Sequence, residues 1–126
     1  MTEPSEELAM AEKYLHEMLE ADDTANYDLY TRRYEEKYLT NFSREIFSND
    51  INHMHERNGM HTGYELLGTL RNSTVDDLDI YRTVWKGIYE KRDAVIEMGI
   101  YKKDGTWYVI KSVSYTHLTL PTICSV

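Results

Sequence analysis

The stretch NDINHMHERNGMH holds Asp50, His53, His55 and His61, the densest run of side chains able to do chemistry in this sequence. Asp50 and His53 stand three apart, the spacing of a carboxylate–imidazole dyad on a helix. Three histidines in so short a run suggest a metal. Helix geometry argues against both. Phe47, Ile51 and Met54 mark the apolar face of this segment. At about 100° per residue, His53 lies roughly 130° from the centre of that face and points to solvent. His53 and His55 are two apart and share no face, whereas ligands on one helix need three- or four-residue spacing. No metal site and no cofactor are expected.

Tyrosine is the other chemically capable residue in excess. Tyr27, Tyr30, Tyr34 and Tyr38 repeat at helical spacing. Such a stripe packs its rings and leaves its hydroxyls wet, so it reads as a half-buried face with hydroxyls edging a cavity. Asp79 falls near a strand start, on the face expected to meet the core. A carboxyl there, with its pKa raised by burial, would serve as a proton-transfer base, with Tyr30 or Tyr64 as hydroxyl donor. Its neighbours Asp76 and Asp77 instead suggest a solvated acidic turn. The charged run TRRYEEKY reads as a solvated helix face. No glycine-rich phosphate loop, nucleophile elbow or nucleotide fingerprint is present.

These residues must be positioned by helices first and strands later. Ser5 caps a first helix, with Glu6 and Glu7 at its positive end. Leu8, Ala11, Leu15, Met18 and Leu19 recur along it, and ADDT interrupts the pattern. The tyrosine stripe predicts a second helix through Tyr38. Ser43 caps a third, and Asn58-Gly59 ends it. A strand then begins near Gly63. DDLDIYRTVWKGIYE, DAVIEMGIYK and WYVIK follow as strands, the last two joined by an Asp104-Gly105 turn. Three helices followed by a meander of about four strands predict an α+β domain with the helices on one sheet face.

A turn around Lys91 and Arg92 would pair Tyr89 with Ala94, Gly87 with Ile96 and Trp85 with Met98. The Asp104-Gly105 turn pairs Lys102 with Trp107 and Ile100 with Val109. Alternation then gathers Tyr81, Trp85, Tyr89, Ala94, Ile96, Met98, Ile100, Trp107 and Val109 on the core face. The other face carries Val84, Ile88, Val95, Tyr101, Tyr108 and Ile110 among Arg82, Lys86 and Glu97. It is apolar enough to suggest an interaction surface.

Composition narrows the partners. The 126 residues allow one domain with one core. A net charge of -8 disfavours nucleic acid and anionic membrane. No apolar run is long enough to span a bilayer. The start MTEPSEELAM is polar and acidic, with no secretion signal, so a cytoplasmic location is expected.

Two resemblances complete the reading. The three helices, the NG after the third, the strand LDIYRTVWKGIYE and the ending MGIYKKDGTWYVIK resemble the nuclear transport factor two-like superfamily, which includes ketosteroid isomerase-like and SnoaL-like proteins. Residues 5 to 111 are covered by a loose pattern without a catalytic signature. The resemblance implies a cone-shaped, cystatin-like fold with a curved sheet, a pocket between helices and sheet, and a homodimer through the outer face. Val113 to Thr122, VSYTHLTLPT, resembles the in-frame translation of a Nextera-type sequencing adaptor, and Ile123 to Val126 fit its index and stop. On that reading 1–112 is one domain truncated at its C-terminus, 113–126 is not native, and His117 and Cys124 carry no functional meaning.

The expected function is a binding or assembly domain whose aromatic-lined pocket takes a small apolar ligand or a peptide. Tyr30, Tyr81, Trp85, Tyr89 and Met98 are the expected lining. The alternative is an isomerase, dehydratase or cyclase using a pocket carboxylate, with Asp79 as the candidate. A third reading is a structural module acting through Val84, Ile88, Val95, Tyr101, Tyr108 and Ile110.

Overall fold

The computed structural model describes residues 6–40 and 42–115. Helix α1, Glu6–Thr24, buries Ala11, Tyr14, Leu15, Met18, Leu19 and Ala21 along one face, at the three- and four-residue spacing that makes a helix amphipathic. It does not break at ADDT. That segment forms its last turn, and Ala25 in the left-handed region ends it. Asn26 then caps α2, Tyr27–Thr31, by accepting a hydrogen bond from the Leu29 amide at 3.1 Å.

The second helix stops seven residues short of the end the tyrosine stripe predicts. β4 is an edge strand, and the Val109 amide on it needs an acceptor. The Arg33 carbonyl supplies it at 2.8 Å, and Tyr34 forms a parallel bridge to Val109. This demands extended backbone where the stripe asks for helix. A 3-10 turn, Glu36–Tyr38, carries the chain onward. The third helix, α3, spans Arg44–Asn58. Ser43 Oγ caps it by accepting from the Ile46 amide, and Gly59 at φ 78 closes it. Phe47 and Ile51 are buried, Met54 is half-buried and His53 is exposed, as the helical stripe requires.

Strands β1 (His61–Val75), β2 (Leu78–Tyr89), β3 (Asp93–Lys103) and β4 (Thr106–Tyr115) form an open antiparallel sheet in that order. Positive φ at Asp76 and Asp77, and at Asp104 and Gly105, gives both outer hairpins two-residue turns of the mirror-image kind that suit strand twist. Ile100 pairs with Val109 and Lys102 with Trp107, as expected. Between β2 and β3 the register differs by two residues: Trp85 faces Ile96 and Gly87 faces Ala94. The cause lies in the turn. The Glu90 amide donates to Met60 O at 3.0 Å and the Lys91 amide to Asn58 O at 2.8 Å, so the end of α3 holds the turn one residue earlier. An even shift leaves every side chain on its expected face.

Helix α1 lies on the face carrying Trp85, Ile96, Met98, Ile100 and Val109, with Tyr81 and Trp107 partly buried at the margin. On the other face Val84, Ile88, Val95, Tyr108 and Ile110 are half-buried. Tyr101 departs from the expected open surface: it is 0% exposed. Tyr38 packs edge-on against its ring, Tyr108 stacks on it, and its hydroxyl donates to Glu35. β4 runs past Ser112, and Val113 to Tyr115 pair by main chain with Glu97 to Val95. Main-chain pairing accepts any sequence that can extend, so this pairing does not bear on the adaptor resemblance. Ser5, His117, Cys124 and the rest of the adaptor-like tail lie outside the described residues.

Candidate ligand-binding cleft

The end of α1, Tyr30 of α2 and the inner face of α3 converge over Ser112 of β4. Together they enclose a cleft of about 320 Å³, lined by Asp22, Tyr30, Phe42, Phe47, Asp50, Ile51, His53, Met54, Arg57 and Ser112. A small recess of about 50 Å³ continues beneath it to Leu15, Leu19, Tyr89 and Ile96. A side branch of about 250 Å³ leads along Tyr34, Tyr38 and Leu39. Tyr30 and Ser112 border all three spaces.

Local sequence explains each wall. Ser112 faces inward because β4 has a bulge: Ile100 pairs with Val109 but Gly99 with Lys111, so one residue is skipped and the alternation shifts. Tyr30 enters from α2, which Asn26 caps four residues earlier, the Tyr30 amide donating to the Asn26 carbonyl at 3.0 Å. The Tyr30 ring lies 5.0 Å from Phe47 and 5.7 Å from Phe42, and these two lie 6.1 Å apart. Tyr27 closes the cluster, stacked on Phe42 at 5.8 Å with its hydroxyl donating to the Phe42 carbonyl. The rings pack on one another and form a wall rather than an open cage.

Electrostatics single out Asp22. Burial lifts its carboxyl from 3.8 to about 8, and the adjacent Asp23 charge adds to the rise. Among the described residues no donor or cation reaches the carboxyl oxygens. Asp23 differs, since His61 Nδ1 approaches its Oδ2 at 2.6 Å, close but off the line of a hydrogen bond. Asp22 also sits at the negative end of α1, whose last turn has no basic residue. Burial likewise holds the Tyr30 hydroxyl well above its ordinary value, with Tyr34, Asp22 and Asp50 adding to it and a Ser112 hydrogen bond opposing. The cleft floor is therefore uncharged near neutral pH: a protonated carboxyl and two hydroxyls against aromatic rings. Asp50, His53 and Arg57 stand at the α3 rim.

The expected pocket residues divide. Tyr30 lies at the centre of the cleft and Tyr89 in its recess. Trp85 and Met98 are core side chains, 3% and 0% exposed, and the Trp85 indole N–H is satisfied by Thr83 Oγ1 at 2.8 Å. Tyr81 packs at the core margin. Asp79 is exposed at the distal end of the long β1–β2 hairpin, accepting from Asn72 Nδ2 at 3.2 Å. Tyr64 gives its hydroxyl to Glu12 and its ring to Trp85. His53 is exposed, and His55 is half-buried on another side of α3. Among the described residues no three metal-binding side chains come together. The sequence reading missed Asp22, Phe42, Phe47 and Ser112 as cleft residues. A signal for Asp22 was present: acids directly after Leu19 and Ala21, where a helix end disfavours negative charge.

A second groove of about 590 Å³ lies on the outer face, lined by Tyr38, Val75, Ile80, Arg82, Glu97, Gly99, Ile110 and Lys111. Its Glu97 is paired with Arg82 at 3.1 Å and Lys111 at 3.4 Å. Leu66, Leu67 and Leu70 are exposed on the edge strand β1. No helix among the described residues is long and apolar enough to cross a membrane. No family model, curated protein or solved structure matches the chain.

Proposed function

We propose that this domain binds a small molecule with an apolar body in the cleft between α1, α2, α3 and β4. One observation carries the reading: an aromatic wall, an unpartnered carboxyl and a hydroxyl floor converge in one cavity. Ligand sites combine apolar walls with a few polar groups in this way. An unpartnered, half-buried acid at a helix C-terminus also costs stability that close packing alone would not require. The nuclear transport factor two-like resemblance agrees in placing a pocket between helices and sheet.

The test is methyl-detected NMR with a neutral aromatic probe, 2-(1-naphthyl)ethanol. Saturable shifts are expected at Ile51 and Met54, with none at Leu67 on the far strand. Shifts at Leu67 alone, or no saturation, would overturn the assignment.

A second reading is catalytic and rests on the same carboxyl. An acid that holds its proton near neutral pH is suited to proton transfer, so the isomerase, dehydratase or cyclase alternative moves from Asp79 to Asp22. An activity that survives Asp22→Asn would refute it. Self-association is proposed for the outer face, through the groove at Val75, Ile80 and Ile110 together with Leu70, which pairs with Arg82 on that face, and without Tyr101.

A further inference from the structure

We propose that the cleft selects a cationic ligand, an ammonium group carried on an apolar or aromatic body, with the ammonium on Asp22 and Asp50 at the cleft rim. This rests on the cleft being a ligand site and adds the charge of the ligand.

Two carboxylates enter one cavity from different helices, Asp22 from the end of α1 and Asp50 from the middle of α3. Neither is in an ion pair among the described residues. Every ion pair formed there uses another acid: Glu17, Asp28, Asp23, Glu97, Glu65, Glu6 or Glu35. Asp22 is half-buried and meets no hydrogen-bond donor or cation among the described residues, so its carboxyl is open to a ligand in the cleft. The carbonyl end of α1 and the Asp23 side chain make the potential there more negative. A chain of net charge -8 also attracts cations over distance.

The remaining charged and titratable groups facing Asp22 are few. Tyr30 and Tyr34 are neutral, and Asp23 is occupied by His61. His53 and Arg57 line the rim on α3 without ion-pairing to Asp50. Arg57 opposes a cation, but from the exposed side, where water screens it. The deep side, lined by Leu15, Leu19, Tyr30, Tyr89, Ile96 and Ser112 around Asp22, carries no basic side chain. An anionic ligand would instead meet the negative end of α1 and Asp50 at the rim. The faces of Tyr30, Phe42 and Phe47 suit an apolar body and favour positive charge over negative. A cavity of about 320 Å³ accommodates an arylalkylamine.

Proton linkage gives the inference a signature. Empty, the site keeps a proton on Asp22 up to about pH 8. An arriving ammonium pairs with the carboxylate, and the displaced proton passes to solvent. At pH 7 about 0.9 proton should be released per ligand bound. Amine affinity should rise about tenfold from pH 6 to pH 7 and level off above about 8.

The experiment is isothermal titration calorimetry of the intact chain with 2-(1-naphthyl)ethylammonium, 2-(1-naphthyl)ethanol and 1-naphthylacetate. Buffers of different ionisation enthalpy report the protons released. The amine is expected to bind at least about tenfold tighter than the alcohol, and the acetate weakest. Asp22→Asn, close in shape, should abolish proton release and the preference for amine while leaving alcohol binding intact. Asp50→Asn should reduce the amine preference without removing proton release. Equal binding of amine and alcohol, tighter binding of acetate, or amine binding without proton release would overturn the cation assignment and leave the cleft reading standing. Failure of all three probes would overturn both.

Discussion

Replacing Asp22 with Asn should change how stability depends on pH more than it changes the structure. In the folded chain burial raises this carboxyl from 3.8 to about 8. Between those values the unfolded chain has lost a proton that the folded chain keeps. The stability associated with Asp22 is therefore complete below about pH 3.8, falls as pH rises, and levels off above about 8. Asn cannot ionise, so the difference in unfolding free energy, variant minus parent, should grow by about 1.4 kcal/mol per pH unit. From pH 5 to pH 7 the gain is about 2.7 kcal/mol, a large share of the 5–15 kcal/mol that holds a typical domain together. Glu6 is held below its ordinary value by hydrogen bonding to Trp107 and the Lys102 charge, and Glu35 by hydrogen bonding to Tyr101 and Lys103. Both titrate alike in the two proteins and cancel in the difference. Urea unfolding followed by circular dichroism at pH 5, 6, 7 and 8 measures it. A difference that stays flat across that range would mean that Asp22 is solvated in the folded state, and the account of the cleft floor would fail.

Two further outcomes follow from other parts of the fold. Gly59→Ala should destabilise by about 2 kcal/mol or more in chemical unfolding, because residue 59 sits at φ 78, ψ -164 and a Cβ there would lie 2.8 Å from Glu90 Cβ; an unchanged midpoint would show that the α3–β1 junction is not held as described. Sedimentation velocity should reveal a concentration-dependent dimer that Leu70→Lys, at a side chain 41% exposed, weakens without loss of fold; a monomer at every concentration would remove the outer-face proposal.

The elements were legible where local signals agree. Ser43 before a 3.6-period run and Gly59 after it define α3, and Asp104-Gly105 defines a hairpin, because each signal describes backbone that the residue itself adopts. Face assignment survived even an error of register, since alternation is insensitive to a shift of two. What failed was always imposed from a distance. α2 stops early because Val109, some 75 positions later in sequence, takes the Arg33 carbonyl. The β2–β3 turn moves because the end of α3 binds it. Ser112 faces the cleft through a bulge that no residue in WYVIK announces. Long-range pairing of this kind leaves no periodicity behind.

The expected pocket was misplaced for a related reason. Trp85 and Met98 are the largest side chains at the middle of the core face, and size on that face selects for burial rather than for contact with ligand. α1 is the longest helix, at 19 residues, and its apolar stripe covers that centre completely. A cavity can open only where the stripe ends, and it ends at Ala21. Beyond it α1 offers Asp22 in place of another apolar residue, α2 is too short to cover the gap, and α3 closes it from one side alone. The acid thus occupies the position where the helical layer ceases to seal the sheet. An apolar residue at 22 would extend the seal by one turn and give a more stable domain, and the isosteric Asn tests the ionisation separately from that packing. The chain forgoes that stability where the sheet's inner face meets solvent beside Ser112, and the proposed binding role gives that opening a use.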